Sequence, residues 1–202
     1  MRRLLQKFEN RVNLPIEIDE IRDAIIELGI QDRIIFSAQD LDTEVLRGTY
    51  YQWREHGNVY GEPIWTTLII YPENEDIGWQ RVICAKELVH VCDKQIVKTQ
   101  TPEMIDKLAA KVIGPFEGSA EGPADLMASV DKLAAYLGLN LLFPIAARRL
   151  AREKIASQEK TIQEIANWAV IPEHYASLVI DEGWDKISEL LARIGNGDHF
   201  PD

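Results

Sequence analysis

Apolar residues in the first 30 positions recur every three to four residues, which is the spacing of an amphipathic helix. The first such run consists of Leu4, Leu5, Phe8 and Val12, and Pro15 separates it from the next one. A second run covers residues 18–28 and ends before Gly29, a residue that commonly terminates a helix. The pattern therefore predicts two helices before residue 30.

From residue 33 the pattern changes to short runs rich in β-branched and aromatic residues, which favour strands. Three such runs lie at residues 34–36, 45–53 and 64–71, separated by polar, turn-like stretches at 39–42 and 55–63. The short connection at 55–63 suits a hairpin better than a crossover. We therefore expect a small, mostly antiparallel three-stranded sheet.

Helical spacing returns after the sheet and continues almost to the end of the chain. It predicts helices at residues 79–97, 102–113, 124–142 and 146–158, with a Gly- and Pro-rich loop at 114–123. Residues 161–194 follow as short helices separated at Ile171-Pro172 and Gly183. We therefore expect an α+β fold, with a first domain at residues 1–144 and a helical C-terminal segment at 145–202 packed on it.

The charge balance disfavours direct binding to nucleic acid. The chain has 33 acidic and 22 basic residues and a formal net charge of -11, which repels a phosphate backbone. One basic cluster stands out in the helix at 146–158, where Glu153 interrupts Arg148, Arg149, Arg152 and Lys154. A solvated helix face is the expected reading of this cluster, and salt-dependent DNA binding is the competing one.

The sequence shows neither a segment typical of membrane insertion or export nor a cysteine pattern typical of disulfides. The chain has no apolar run of about 20 residues and no signal-type start, so we expect a soluble cytoplasmic protein without a membrane partner. Its two cysteines, Cys84 and Cys92, fall eight positions apart in one predicted helix, which separates them by about 12 Å and prevents a disulfide.

The helix at 79–97 contains the one motif that suggests chemistry. Residues 86–90, Lys-Glu-Leu-Val-His, have the layout of H-E-x-x-H with lysine in the first position. In the intact motif the two histidines share a helix face and bind zinc, while the glutamate activates a metal-bound water. His90 can still bind a metal and Glu87 can still accept a proton, but the protonated amine of Lys86 cannot be a ligand.

The chain resembles the ImmA/IrrE family of zincin-like metallopeptidases over roughly residues 14–180. Residues 79–90 are similar to the family's R-F-T-x-A-H-E-x-G-H, and residues 134–144 are similar to its A-N-x-F-A-x-x-L-L-M-P. Further matching pieces, in the expected order, lie at residues 14–30, 46–48, 68–71 and 161–172, the last resembling a helix-turn-helix. The resemblance implies a zincin-like fold and an activity against helix-turn-helix repressors, often in prophages or other mobile elements.

The resemblance also shows where this chain departs from the zinc site. The family's third ligand is a glutamate just before A-N-x-F-A, where a gap-free match places Leu133. Asp131 is the nearest carboxylate, and Asp125 is a more distant candidate. Val89 replaces the glycine of the motif.

Two hypotheses about function follow from the altered motif. In the first, the chain has lost standard zinc hydrolysis, needs no cofactor and acts as a regulatory protein-binding module, with Lys86 as a fixed cation near Glu87, His90 and Asp131. In the second, it is an active metal-dependent endopeptidase with Glu87 as general base and His90 and Asp131 as zinc ligands, joined by Cys92 or Asp93. Either hypothesis implies a protein partner such as a helix-turn-helix repressor. For Lys86 itself, a side chain that merely points to solvent is the competing expectation.

Overall fold

The computed structural model of this chain describes residues 1–43, 47–55, 64–92 and 123–194, and within these ranges it describes only the backbone at 123–129 and 192–194. The predicted helix at 102–113, the loop preceding Pro123 and Asp93 lie outside the described residues. Within the described ranges, eight helices and one three-stranded mixed sheet make an α+β fold.

Both predicted N-terminal helices are confirmed, as α1 (Arg2–Phe8) and α2 (Ile18–Glu27). A capping box starts α2, since the side chains of Glu17 and Glu20 each accept a hydrogen bond from the other's backbone N–H. Gly29 follows the helix with φ 106°, a conformation that glycine adopts without steric cost.

The sheet consists of β1 (Arg33–Gln39), β2 (Thr49–Glu55) and β3 (Ile64–Pro72), in the order β1-β3-β2. As predicted, β2 and β3 are antiparallel, with Tyr50 opposite Ile69. The expectation of a mostly antiparallel sheet is wrong for β1, because β1 pairs with β3 and runs parallel to it. The continuous apolar run in β3 agrees with its central position in the sheet, where it pairs with a strand along each edge.

The motif helix is α3 (Ile77–Val91), and the longest described helix is α4 (Pro123–Leu142). Asp76 starts α3 by accepting a hydrogen bond from the backbone N–H of Gly78 at 2.8 Å. The helices α3 and α4 pack closely at Gly138, where an added Cβ would lie only 3.1 Å from the backbone nitrogen of Lys86. This close approach brings the side chains of α4 next to the motif.

Four helices complete the described chain: α5 (Ile145–Ala156), α6 (Ile162–Ala169), α7 (Glu173–Ile180) and α8 (Gly183–Ile194). Pro144 separates α4 from α5, and a capping box of Thr161 and Glu164 starts α6. One hydrophobic core joins residues on both sides of position 144, among them Leu4, Leu88, Ala147 and Trp184.

No single described helix is long and apolar enough to cross a membrane. Residues 130–142 and α5 together meet that criterion by length and composition, but a 71° bend separates them.

Candidate functional site

Four titratable side chains meet where α3 packs on α4, and we call Lys86, Glu87, His90 and Asp131 the charged centre. The Nζ atom of Lys86 lies 2.8 Å from Oδ1 of Asp131 and 2.9 Å from Oε1 of Glu87. The Nε2 atom of His90 lies 3.3 Å from the same Asp131 oxygen. The structure therefore brings together all four residues that the sequence singled out.

Helix geometry explains this convergence. Lys86 and His90 are one turn apart on α3 and so share a face, and Asp131 lies two turns before Gly138, the point of closest approach on α4. The expectation that Lys86 simply points to solvent is wrong, because its side chain is only 15% exposed. Glu87 is more enclosed still, at 2%.

The charges of the centre stabilise one another. Burial alone would lower the pKa of Lys86, but the carboxylates of Glu87 and Asp131 outweigh it and hold that pKa well above the ordinary value. Burial would raise the pKa of Asp131, but the hydrogen bond with His90 and the charge of Lys86 keep that pKa far below its usual range. Lys86 is thus a cation, and Asp131 an anion, at neutral pH.

The contact between Lys86 and Glu87 is a buried ion pair, with 2.9 Å between Nζ and Oε1. No other described donor hydrogen-bonds this carboxylate oxygen. A buried carboxylate oxygen in this state depends on the neighbouring cation for its stabilisation.

The described side chains at the charged centre do not fit a zinc ion. A catalytic zinc site needs three protein donors directed at one point. Across the described ranges, no three His, Cys, Asp or Glu side chains are grouped so that they could hold a metal. The Asp131 oxygen nearest His90 already accepts from Lys86, and a fixed ammonium there repels a divalent cation.

The other proposed ligands do not complete such a set. The thiol of Cys92 donates to the backbone oxygen of Leu88 at 3.7 Å, and Leu133 packs against the hydrophobic core. Asp93 and the side chain of Asp125 lie outside the described residues. Burial raises the pKa of Cys84 to about 12, so this thiol is not a nucleophile at neutral pH.

Strand β2 forms one wall of the charged centre. The ring of Tyr50 stacks on His90 with 5.9 Å between centroids. At Gly48 an added Cβ would lie 3.5 Å from Oε1 of Glu87 and only 2.3 Å from a methyl carbon of Ile83. Glycine at this position therefore lets the strand approach α3 beside the buried carboxylate.

The first turn of α7 lies next to the start of α3. The Trp79 ring is 5.1 Å from the ring of His174 and 5.3 Å from that of Tyr175, and the guanidinium of Arg47 is 5.1 Å from the Trp79 ring. We call these four residues the aromatic rim. Burial raises the pKa of Tyr175, which also experiences the charges of Arg47, Lys86 and Asp131.

Sequence reasoning did not find the rim. His174 had no neighbours at ligand-like spacing, and nothing in the pattern linked it to Trp79, 95 positions earlier. His174 lies beside Trp79 because the turn between α6 and α7 packs on the start of α3. An added Cβ on Gly78 would lie 3.2 Å from the Cα of Ile171.

Arg81 fixes that packing. Its guanidinium donates to the backbone oxygens of Ile16 at 2.6 Å and Val170 at 3.1 Å, and to the carboxylate of Glu17 at 3.0 Å. One buried side chain on the motif helix therefore joins the N-terminal region to helices α6 and α7, which we call the C-terminal helix pair.

The basic cluster of α5 is a solvated face only in part, because Arg148 is buried while Arg152 and Lys154 are half-buried. Arg148 is 1% exposed and donates to Oδ1 of Asn140 at 2.8 Å, and burial lowers its pKa to about 10. Both Arg148 and Arg152 pair with Asp185 of α8. Of the arginines in the cluster, Arg149 is exposed.

Comparisons were made with family models, curated proteins and solved structures. None of the three found a match.

Proposed function

We propose that this chain is a zincin-like, protein-binding module, a degenerate relative of the ImmA/IrrE metallopeptidases that regulates a partner without cutting it. One observation carries the proposal. The ammonium of Lys86 lies between the carboxylates of Asp131 and Glu87, at 2.8 and 2.9 Å, where the resemblance puts a zinc ligand and its metal.

The chemistry of an ammonium explains the loss of hydrolysis. A fixed cation neutralises buried carboxylates, as a metal would, and so preserves the surrounding fold. It does not supply the low-pKa water that a zinc-bound site provides for attack on a peptide carbonyl. The exchange therefore favours retention of the surface around the charged centre, where the resemblance puts a peptidase cleft, as a binding surface.

The alternative, a metal-dependent endopeptidase, draws on the proximity of Glu87 and His90. In that enzyme Glu87 would be the general base, and His90 and Asp131 would hold the metal. It requires Lys86 to release Asp131, which leaves a buried ammonium without one of its two carboxylates. That cost favours the binding module.

The partner class follows from the resemblance alone. A regulatory relative of repressor-cleaving peptidases would bind a helix-turn-helix repressor in the cytoplasm, and it would do so through the cleft instead of through DNA. The packing of the C-terminal turn on α3, together with the net charge of -11, agrees with this choice.

The test is incubation of candidate helix-turn-helix repressors with the protein, once with added zinc and once with chelator. We expect a stable complex with intact repressor under both conditions. Zinc-dependent cleavage that disappears in Glu87→Gln would establish the peptidase instead.

Metal content provides an independent test. Protein purified without chelator should contain far less than one zinc per chain, and chelator should leave its thermal midpoint unchanged. Tight stoichiometric zinc would overturn the proposal.

A further inference from the structure

Arg47 is an exposed cation with no carboxylate partner among the described residues. Among the described residues, the arginines at 11, 22, 33, 81, 148 and 152 pair with an Asp or Glu side chain. The exposed arginines at 2, 3, 47, 54 and 149 do not, and Arg47 is the one that lies beside the charged centre. Arg47 instead stacks on Trp79, which holds the guanidinium in place at the aromatic rim.

The rim adjoins the charged centre. Arg47 precedes Gly48, where an added Cβ would lie 3.5 Å from Oε1 of the buried Glu87, and Tyr175 experiences the charges of both Arg47 and Lys86. A segment lying in the cleft would therefore meet the rim at one end. The rim offers this segment a guanidinium and three aromatic rings, those of Trp79, His174 and Tyr175.

We propose that the aromatic rim binds a carboxylate side chain of the protein partner, with Arg47 as its cation and the rings as contacts for the flanking apolar residues. This rests on the proposed function, because the rim borders the same cleft. A stacked guanidinium has its N–H edge free to form paired hydrogen bonds with a carboxylate, and such charge-assisted bonds are among the stronger ones in proteins.

A nucleic-acid phosphate is a poorer occupant. A polyanion would experience the whole net charge of -11, whereas one carboxylate in a short peptide experiences mainly the local field of Arg47. Since long-range electrostatics disfavour an acidic ligand, its binding at the rim depends on short-range contacts there.

The test uses two capped pentapeptides, Gly-Glu-Phe-Glu-Gly and its counterpart with both Glu replaced by Gln. Each is titrated into the isotope-labelled full chain while the indole N–H signal of Trp79, assigned with Trp79→Phe, is followed by NMR. We expect the Glu peptide to shift this signal and the Gln peptide to bind about tenfold or more weakly, which is the size of one charged hydrogen bond.

A matched pair of variants locates the effect. Arg47→Gln should weaken binding of the Glu peptide by about tenfold or more. Arg54→Gln is the control, because Arg54 is also exposed and stacks on a tryptophan, with 4.5 Å to the ring of Trp65 on the sheet. This control should leave binding unchanged.

Equal affinity for both peptides, no shift with either one, or an equal loss in Arg54→Gln would each overturn the inference. These failures are distinct from failure of the proposed function, which is decided by complex formation with a repressor. If a repressor complex forms as tightly with Arg47→Gln as with the unaltered chain, the proposed binding function stands. The proposal that the aromatic rim binds a carboxylate of the partner is then wrong.

Discussion

Lys86 determines the chemistry of the charged centre. It neutralises two buried acids, and its pKa stays above the ordinary lysine value because their attraction outweighs the cost of burial. A buried ion pair of this kind adds little stability compared with an apolar core, but removal of one partner leaves the other charge uncompensated. Lys86 is therefore costly to replace, whether or not it contributes net stability.

Lys86→Met should lower the free energy of unfolding by about 3–5 kcal/mol, because Glu87 and Asp131 then remain buried without their cation. Urea denaturation followed by circular dichroism measures this loss. Lys186→Met is the matched control, since Lys186 is exposed on α8 and its replacement should change stability by no more than about 0.5 kcal/mol. Equal effects of the two substitutions would contradict a structural role for the ammonium.

Lys86→His should convert the charged centre into a zinc site. The new imidazole would share a face of α3 with His90, and Asp131 would be free to provide the third donor. We expect about one zinc per chain by elemental analysis and a thermal midpoint that rises with zinc. Lys86→His combined with Asp131→Asn should lose this zinc, and failure of the single variant to bind zinc would contradict the proposed zincin-like relationship.

At the scale of elements, much of the secondary structure was predictable because hydrophobic periodicity is a local property. The two N-terminal helices and the β2–β3 hairpin pairing followed from spacing and a short connection. The pairing of β1 did not, because nothing local states which strand lies beside it. The continuous apolar run of Leu68, Ile69 and Ile70 was the available signal that β3 is central.

The charged centre was partly predictable for the same reason. The motif places Lys86, Glu87 and His90 within two adjacent turns of one helix, whereas Asp131 reaches them only through the packing of α4. The interior role of Arg148 was missed because a basic run has the same sequence pattern whether it faces water or a distant aspartate. The partner, Asp185, comes 37 positions later on α8.

That contact between α5 and α8 predicts a dependence on pH. The hydrogen bond from Arg152 lowers the pKa of Asp185, against the opposing effect of burial, and Arg148 adds its charge. A lowered carboxylate pKa stabilises the fold above the ordinary aspartate value of about 3.9, and this contribution is lost as the pH falls through the lowered value.

Asp185→Asn should therefore destabilise the protein at pH 7, and the difference from the unaltered chain should shrink toward pH 3. Thermal unfolding across this range measures the effect. Glu182→Gln is the control, because Glu182 is exposed and its replacement should give a small, nearly constant difference. A deficit of Asp185→Asn that stays the same at low pH would show that the pair is not the cause.

On the scale of the whole molecule, the charged centre depends on regions that are distant in sequence. Strand β2 covers it from one side, α4 supplies Asp131, and α7 supplies His174 and Tyr175 of the aromatic rim. The helix-turn-helix-like segment packs its turn on the motif helix. We infer that it contributes to the architecture of the cleft.

Arg81 is the residue that tests this architecture, because it joins Ile16, Glu17 and Val170 to α3. Arg81→Ala should lower the free energy of unfolding by about 3 kcal/mol, since it leaves two backbone oxygens without their charged donor. Hydrogen exchange should rise at both the N-terminal region and α6–α7 while the sheet stays protected. Arg22→Ala removes an arginine that pairs only with the exposed Asp19 and Asp23, so it should cost less than about 1 kcal/mol. If faster exchange in Arg81→Ala were confined to one end of the chain, the arginine would not couple the two regions, and the C-terminal pair would have to be held against α3 by apolar packing alone.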